Sequence, residues 1–137
     1  MGLDVGTKTI GIAIADELGF SAQPITTVRR KNIRADLASV GALITEYNVT
    51  QLVVGLALNM NGTEGPRAEL CRKFGNAIAN ESKLPVIYWD ERLTSVAAEK
   101  ALIEADVSRA KRKQVVDQVA AVLILQGWLE SQSLARD

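Results

Sequence analysis

Hydrophobic and small or polar residues alternate along the first part of the chain with the period of two that is typical of β-strands. Residues 2–5 form a short apolar run, and from 10 to 14 large branched residues alternate with small ones. The short spacing between these two runs predicts an antiparallel hairpin. One face of its second strand carries small residues, so another element is expected to pack closely there. Residues 21–28 form a third strand, which Pro24 favours as an edge strand because proline donates no ladder hydrogen bond.

The pattern changes to a helical period after these strands. Apolar residues at steps of three and four predict a helix that begins at Ile33 and ends near Asn48. The continuous apolar run at residues 51–56 is typical of a strand buried on both faces of a sheet. The remaining predicted elements are a polar loop at 58–65, a helix that begins at Gly65-Pro66, a strand at 85–89, a helix from Ser95 to Ala105, a basic loop at 108–113 and a helix from Gln114 to Glu130.

The order of these elements predicts the fold class. Three meandering strands followed by alternating helices and strands indicate an α/β fold, a mixed sheet with helices on both faces. No repeat, low-complexity tract or interdomain linker interrupts the chain, so a single domain, 1–137, is expected. Small residues near the start of the last helix, Ala120 and Ala121, predict that this helix packs closely on the small-faced hairpin strand and on Asp4.

Composition excludes whole classes of site. The chain has 16 basic and 16 acidic side chains, no histidine and one cysteine. Without histidine, Ser-His, Cys-His and histidine–metal sites are excluded, and one cysteine builds neither a disulfide framework nor a cysteine zinc cluster within one chain. The longest apolar stretch, residues 119–125, is far shorter than the ~20 residues of a membrane-spanning helix. The first residues lack the features of a secretory signal, so a cytoplasmic location away from membranes is expected.

Carboxylates at three places in the chain interrupt otherwise apolar segments. Asp4 lies within the first apolar run, although aspartate is depleted in strands. Asp90 and Glu91 follow the last predicted strand, where open α/β sheets place ligand sites, and strand alternation turns them to opposite faces. Asp117 begins an apolar row of the last helix. Each also has a structural interpretation: a turn residue, a partner for Arg92, or a first-turn acid that satisfies free helix N–H groups.

Convergence of these acids at one end of the sheet would create a site for a hard cation. Oxygen ligands suit Mg²⁺ or Mn²⁺, and two such ions about 3.5–4 Å apart activate water and stabilise the leaving oxygen in phosphodiester cleavage. The pattern therefore predicts a metal-dependent nuclease. The predicted metal ligands and catalytic residues are Asp4, Asp117 and one member of the pair Asp90 and Glu91.

Basic residues are candidate contacts to the phosphates of a nucleic acid. Lys8 follows Asp4 closely and Arg92 follows the acid pair, so either can hold a scissile phosphate. A basic cluster directly before Asp117 and another at residues 29–34 are further candidates, because neutralising even ~4 phosphates makes binding strongly salt-dependent. Solvated surface charge is the alternative for both clusters. The cluster before Asp117 consists of Arg109, Lys111, Arg112 and Lys113.

Four motifs, in order along nearly the whole chain, resemble the YqgF/RuvX family of Holliday junction resolvase-like nucleases. They are Gly2-Leu3-Asp4-Val5-Gly6-Thr7-Lys8, Val53-Val54-Gly55-Leu56 followed by Leu58-Asn59-Met60-Asn61-Gly62-Thr63-Glu64, Asp90-Glu91-Arg92-Leu93-Thr94-Ser95, and Lys113-Gln114-Val115-Val116-Asp117-Gln118. The resemblance implies a ribonuclease H-like fold with a five-stranded mixed sheet of order 3-2-1-4-5, and a role in processing pre-16S rRNA. It places the family's acidic residues on Asp4, the Asp90-Glu91 pair and Asp117, with Glu91 favoured within the pair.

One departure from ribonuclease H-like relatives concerns the strand at residues 51–56. Such relatives commonly have an acid at the end of this strand, whereas here no carboxylate occurs before Glu64. Metal affinity is therefore expected to be weak or to require the substrate phosphate. Cleavage of branched DNA, a non-catalytic RNA-binding role in ribosome assembly and an actin-like nucleotide site at residues 4–7 are the alternatives, and a homodimer is left open.

Overall fold

A β-sheet and the helices around it make up the part of the chain that the computed structural model describes, residues 1–19, 21–94, 102 and 109–136. The helix predicted from Ser95 to Ala105 lies outside these residues, apart from Leu102. The strands are Gly2–Val5 (β1), Thr9–Ala15 (β2), Ala22–Arg29 (β3), Leu52–Leu56 (β4) and Val86–Asp90 (β5). The helices are Ile33–Glu46 (α1), Pro66–Ser82 (α2) and Arg109–Arg136 (α3), with a 3₁₀ helix, Glu91–Thr94, directly after β5.

The strands form one mixed sheet in the order β3-β2-β1-β4-β5. The central strand β1 pairs antiparallel with β2, where Asp4 lies opposite Gly11, and parallel with β4, where Leu3 lies beside Val54. Antiparallel β3 closes one edge, where Pro24 favours an edge position, and parallel β5 closes the other. The mixed sheet predicted from the order of elements and the strand order implied by the family resemblance are therefore confirmed.

Aliphatic side chains on one face of the sheet pack against α1 and α2. Leu3 and Val5 of β1 belong to this buried cluster. From the helices, Val40 of α1 and Phe74 of α2 join it, and both are fully buried. The first residue of α2 is Pro66, whose missing N–H would be unsatisfied at a helix start in any case. This layer accounts for the larger of the two cores.

The opposite face of the sheet carries small residues and is covered by α3. Ala13 of β2 shares a buried cluster with Ala120 and Ala121 of α3. A Cβ placed on Gly11 would overlap the carbonyl oxygen of Asp117, so the backbones of β2 and α3 are in direct contact at this point. Glycine permits that approach because it has no side chain. The close packing expected from the small residues is therefore observed.

The last helix is longer than the sequence pattern predicted. It spans Arg109–Arg136 rather than residues 114–130. The basic loop predicted at 108–113 was therefore wrong, because its residues from 109 onward are helical. Arginine, lysine, alanine and glutamine favour helix, and neither glycine nor proline interrupts them there. Although this helix has 28 residues, no helix in the described part of the chain is apolar enough over enough residues to cross a membrane.

Gly11→Ala is expected to destabilise the fold, because its Cβ would overlap backbone rather than the flexible end of a side chain. Overpacking of this kind typically costs about 1–3 kcal/mol. The matched control is Gly41→Ala in α1, where the added Cβ meets open space. This substitution should stabilise the protein by up to about 1 kcal/mol, because alanine favours helix more than glycine does. Urea unfolding measures both free energies. A Gly11→Ala variant as stable as the unmodified chain would contradict the close contact between β2 and α3.

Candidate active site

Asp4 is a carboxylate held within the central strand of the sheet. It is 3% exposed and lies between Leu3 and Val5, which both belong to the core with α1 and α2. Because side chains alternate along a strand, Asp4 faces the other side, toward α3. Its partner on β2 is Gly11, and the space that a side chain at that position would fill is occupied by the backbone of Asp117. The strand pairing thus brings α3 close to the strand that carries Asp4.

Asp117 lies on the face of α3 that meets the sheet. A Cβ placed on Gly11 would lie 3.2 Å from the Cβ of Asp117. Thr9 Oγ1 donates a hydrogen bond to Asp117 Oδ2, and Gln118 Nε2 donates to Thr27 Oγ1 at 3.2 Å. Two adjacent residues of α3 are therefore tied to β2 and β3. These contacts bring the Asp117 carboxylate to the start of β2, on the α3 side of the sheet.

Glu91 reaches the same face from the other side of β1. It is the first residue of the 3₁₀ helix after β5, and its Oε1 lies 2.8 Å from the position that a Cβ on Gly55 would take. The same Cβ would overlap Cδ1 of Ile124 in α3, so Gly55 faces α3. Since β4 lies between β5 and β1, the Glu91 side chain extends over β4 toward the strand of Asp4.

Asp90 has a different environment from Glu91. Its carboxylate accepts hydrogen bonds from Arg92 Nε at 3.1 Å, from Arg92 Nη2 at 2.8 Å and from the Arg92 backbone N–H at 2.9 Å. These hydrogen bonds from Arg92 hold the pKa of Asp90 below its ordinary value of 3.8. The two acids therefore turn to different surroundings, as strand alternation indicated: Asp90 holds Arg92, and Glu91 faces α3.

The acids predicted as metal ligands share one face of the sheet but do not form a complete cage. Within residues 1–19, 21–94, 102 and 109–136, no group of three or more His, Cys, Asp or Glu side chains is arranged to hold a metal ion. One oxygen of Asp117 is engaged by Thr9. Mg²⁺, however, is usually bound through one or two carboxylates together with waters and substrate phosphates. The donors on this face are oxygen atoms, which suit a hard cation if water and a substrate phosphate supply the other ligands.

Basic side chains are exposed at the end of the sheet where β1 and β5 finish. Lys8 is exposed in the turn between β1 and β2. Arg92 is exposed as well, and in addition to Asp90 it contacts the carbonyl oxygen of Met60, to which Nη1 donates at 3.3 Å. The four residues of the second predicted cluster are in the first turns of α3, and their side chains lie outside the described part of the chain: Arg109, Lys111, Arg112 and Lys113.

In the basic cluster at residues 29–34, Arg30 has a structural role. Its Nε donates to Asp36 Oδ2 at 3.0 Å, and its Nη1 donates to the Gly6 carbonyl at 3.0 Å. Its guanidinium also lies 5.3 Å from the centroid of the Phe74 ring. Because Asp36 is 2% exposed, this ion pair is nearly inaccessible to solvent. Arg30 therefore fastens the turn after β1 rather than presenting a free charge to a ligand.

Arg67 is another basic residue at this end of the sheet, and the sequence pattern did not indicate it. It is exposed in the first turn of α2, and its Nη1 lies 3.8 Å from the position that a Cβ on Gly6 would take. Gly6 directly follows β1. Among the described residues Arg67 makes no ion pair, whereas Arg72 and Arg92 are each paired with a carboxylate. The structure therefore adds Arg67 to the positive charge beside the strand of Asp4.

Comparison with known proteins relates the chain to one family. The family model described as "RuvX: Holliday junction resolvase" matches residues 1–131. A relative from Myxococcus xanthus (strain DK1622) is 58% identical over 131 residues, which cover 96% of this chain and 87% of the relative. A relative from Moorella thermoacetica is 58% identical over 130 residues, which cover 95% of this chain and 93% of the relative. Both relatives carry the name "Putative pre-16S rRNA nuclease".

Solved structures share the fold at low sequence identity. Thermus thermophilus RuvC in complex with Holliday junction substrate superposes with a TM-score of 0.61 at 13% identity, covering 96% of this chain and 94% of that one. The fowlpox virus Holliday junction resolvase gives a TM-score of 0.53 at 17% identity, covering 96% of both chains. The likeness shows that the fold is ribonuclease H-like. With its match over residues 1–131 and its identity to the curated relatives, this chain belongs to the RuvX family.

Proposed function

We propose that this chain is a metal-dependent nuclease that hydrolyses phosphodiester bonds in structured nucleic acid, with the 5′ end of pre-16S rRNA as its substrate. The observation that carries the proposal is that Asp4, Glu91 and Asp117 all lie where α3 packs on the sheet. The names of the RuvX relatives support both the reaction and the substrate. A nuclease that acts on ribosomal RNA precursors would work in the cytoplasm.

The residues proposed to hold Mg²⁺ or Mn²⁺, together with water and a substrate phosphate, are Asp4, Glu91 and Asp117. When bound, such a cation supplies an activated water and stabilises charge on the leaving oxygen, and a pair of ions supplies both effects at once. Because the chain has no histidine, its oxygen donors support a hard cation rather than zinc. Thr9 is proposed as a positioning residue, since its hydroxyl orients the Asp117 carboxylate.

The proposed phosphate contacts are basic side chains around the turn that follows β1. Lys8 lies in that turn, and Arg67 approaches it from α2. Arg92, at the end of β5, contributes further charge; it is also paired with Asp90, and its Nη1 contacts the loop after β4 at the Met60 carbonyl. The remaining proposed contacts are at the start of α3: Arg109, Lys111, Arg112 and Lys113.

Cleavage of four-way DNA junctions is the second candidate function. The description of the RuvX family as a Holliday junction resolvase favours it. Both candidates use the same acids and the same cation, so they differ in the nucleic acid that the basic residues hold. Parallel assays on a pre-16S rRNA fragment and on a four-way DNA junction decide between them.

Asp4→Asn, Glu91→Gln and Asp117→Asn are each expected to lower cleavage by at least ~100-fold, because a lost metal ligand removes several kcal/mol of transition-state stabilisation. Purified variants are assayed on both labelled substrates with Mg²⁺ or Mn²⁺, and circular dichroism monitors the fold. Glu81→Gln, an exposed acid near the far end of α2, is the control and should cleave normally.

If the Asp4, Glu91 and Asp117 variants all cleaved as well as the unmodified chain, or if cleavage persisted in EDTA, the assignment of these acids as metal ligands would be contradicted. Tight, salt-sensitive RNA binding without any metal-dependent cleavage would instead favour a non-catalytic role in ribosome assembly.

Asp90→Asn is expected to change the acid sensitivity of the fold. Hydrogen bonds from Arg92 lower the pKa of Asp90 below 3.8, so the folded state favours the ionised form more than the unfolded chain does. The resulting stability is present above the unfolded pKa and is lost as the pH falls through the lowered folded value. In urea unfolding at neutral and acidic pH, Asp90→Asn and Arg92→Met should both lose less free energy of unfolding on acidification than the unmodified chain.

If Asp90 pairs with Arg92 while Glu91 holds the metal ion, Asp90→Asn should retain more cleavage activity than Glu91→Gln. An equally large loss of cleavage in both variants would refute these separate roles.

Arg67→Ala is expected to weaken binding to RNA and DNA without regard to sequence, because it removes one phosphate contact. The slope of log affinity against log salt should fall by about 0.9 on duplex substrates. Fluorescence anisotropy at several salt concentrations measures this slope. The control is Lys83→Asn at the opposite end of α2, where the backbone φ of 62° suits asparagine. An unchanged slope for Arg67→Ala would rule out the contact.

A further inference from the structure

Met60 is an apolar side chain displayed to solvent at the end of the sheet where β4 and β5 finish, the end that carries Asp90 and Glu91. It is 98% exposed, more than any other large hydrophobic residue in the described part of the chain. It lies in the loop after β4, between Asn59 and Asn61. Isolated apolar residues on a surface are common, so exposure alone assigns no role. The way the loop holds Met60, and the place where it holds it, are more informative.

Hydrogen bonds on both sides of the loop tip hold its backbone in a turn. Gly62 N donates to Asn59 O at 2.9 Å, and Asn59 N donates to Thr63 O at 2.9 Å. The side chains add three further hydrogen bonds: Asn59 Nδ2 donates to Thr63 Oγ1 at 3.0 Å, and Asn61 Oδ1 accepts from Thr63 Oγ1 at 2.6 Å and from Thr63 N at 3.1 Å. Gly62 provides the φ of 85° that the turn requires. The backbone that carries Met60 is therefore pre-formed, so little backbone entropy is lost when the side chain meets a ligand.

Arg92 connects the tip of this loop to the acid pair. Its Nη1 donates to the carbonyl oxygen of Met60 at 3.3 Å, while its Nη2 donates to Asp90 Oδ2 at 2.8 Å. Glu91, a proposed metal ligand, lies between Asp90 and Arg92 in sequence. A single arginine side chain thus bridges the backbone of Met60 and the carboxyl end of β5.

We propose that Met60 is an apolar wedge that stacks against an unpaired or unstacked base of the nucleic acid, next to the phosphodiester bond that is cleaved. The proposal rests on the nuclease function proposed above. Methionine, leucine and phenylalanine wedges unstack base steps in other complexes, and apolar contact to a base face tolerates every sequence. One apolar side chain between two asparagines is far smaller than the ~800 Å² per partner of a protein interface. It matches one base, and the adjacent Arg92 guanidinium complements the phosphate that flanks such a base.

The wedge would make recognition depend on the structure of the nucleic acid rather than on its sequence. In an intact duplex, a base must first be unstacked before Met60 can contact its face, and this step opposes binding. At a junction, bulge or single-stranded end the base is already available. The contact therefore favours branched or partly unpaired substrates over perfect duplexes, for RNA and for DNA.

The test compares Met60→Ala and Met60→Leu with the unmodified chain. Anisotropy measures their affinity for a labelled four-way DNA junction, an RNA hairpin with one bulged base, and a perfect duplex. Met60→Ala should bind the junction and the bulged RNA about tenfold more weakly, because it loses one base contact, and should bind the duplex normally. Met60→Leu should recover most of the loss. Leu18→Ala is the matched control, since Leu18 is 77% exposed in the turn between β2 and β3, at the opposite end of the sheet.

A second measurement locates the contacted base. With 2-aminopurine placed at successive positions of the junction, the unmodified chain should change the fluorescence at one position, and Met60→Ala should not.

The outcomes separate this inference from the proposed function. Unchanged binding by Met60→Ala, or equal weakening on all three substrates, would overturn the wedge and leave the nuclease proposal intact. Binding without cleavage by the unmodified chain would refute the nuclease, while the wedge would still be tested through affinity. A chain that binds none of the substrates would overturn both. If Met60→Ala abolished self-association and left nucleic-acid binding unchanged, Met60 would be a protein contact and the wedge would be wrong.

Discussion

Direct contact between α3 and the small-residue face of the sheet determines where the acids lie. A Cβ on Gly2, Gly11 or Gly55 would meet or overlap atoms of α3, so this helix lies against the strands with little side-chain volume between them. Glycine and alanine permit this approach, and larger residues would lift the helix away from the sheet. Because Asp117 is part of the contact, its position relative to β1 follows from packing. The geometry of the candidate site therefore depends on residues that carry no functional group.

Burial alone does not distinguish a structural acid from a functional one in this chain. Asp36 and Asp4 are 2% and 3% exposed. Asp36 accepts hydrogen bonds from Arg30 and from the Lys31 backbone N–H, an arrangement in which a buried charge is paired and hydrogen-bonded. Through Arg30, the same pair holds the turn after β1 in place, since Arg30 also donates to the Gly6 carbonyl. Asp4 lies on the other face of the sheet, toward α3, and it is its position on that face, rather than its burial, on which the proposed ligand role depends.

Hydrophobic patterns predicted most of the fold, because alternation is typical of β2, a continuous apolar run of the buried strand β4, and steps of three and four of α1. Strand alternation also separated Asp90 from Glu91, since β5 remains regular up to its last residue. The same approach failed at residues 108–113, where a run of charge suggested a loop although the individual residues favour helix. It also missed Arg67, because the approach of this side chain to Gly6 depends on how α2 packs against β1. Local sequence patterns predict individual helices and strands, but they do not predict contacts between elements that are far apart in sequence.

Because the carboxylates in the described part of the chain do not supply a complete set of protein ligands for a metal ion, metal binding and substrate binding are expected to depend on each other. No three suitable side chains in the described residues form a metal-holding group, and Thr9 engages one oxygen of Asp117. A magnesium ion held by one or two carboxylates completes its octahedral coordination with water and substrate phosphate. On the proposed function, the acids and the substrate phosphate would hold the ion together, so the ion would bind more tightly when a nucleic acid is present. Binding free energy from the basic side chains and from Met60 then contributes to catalysis as well as to affinity. On these proposals, cleavage would be restricted to nucleic acids that contact the acids, the basic side chains and Met60 at the same time.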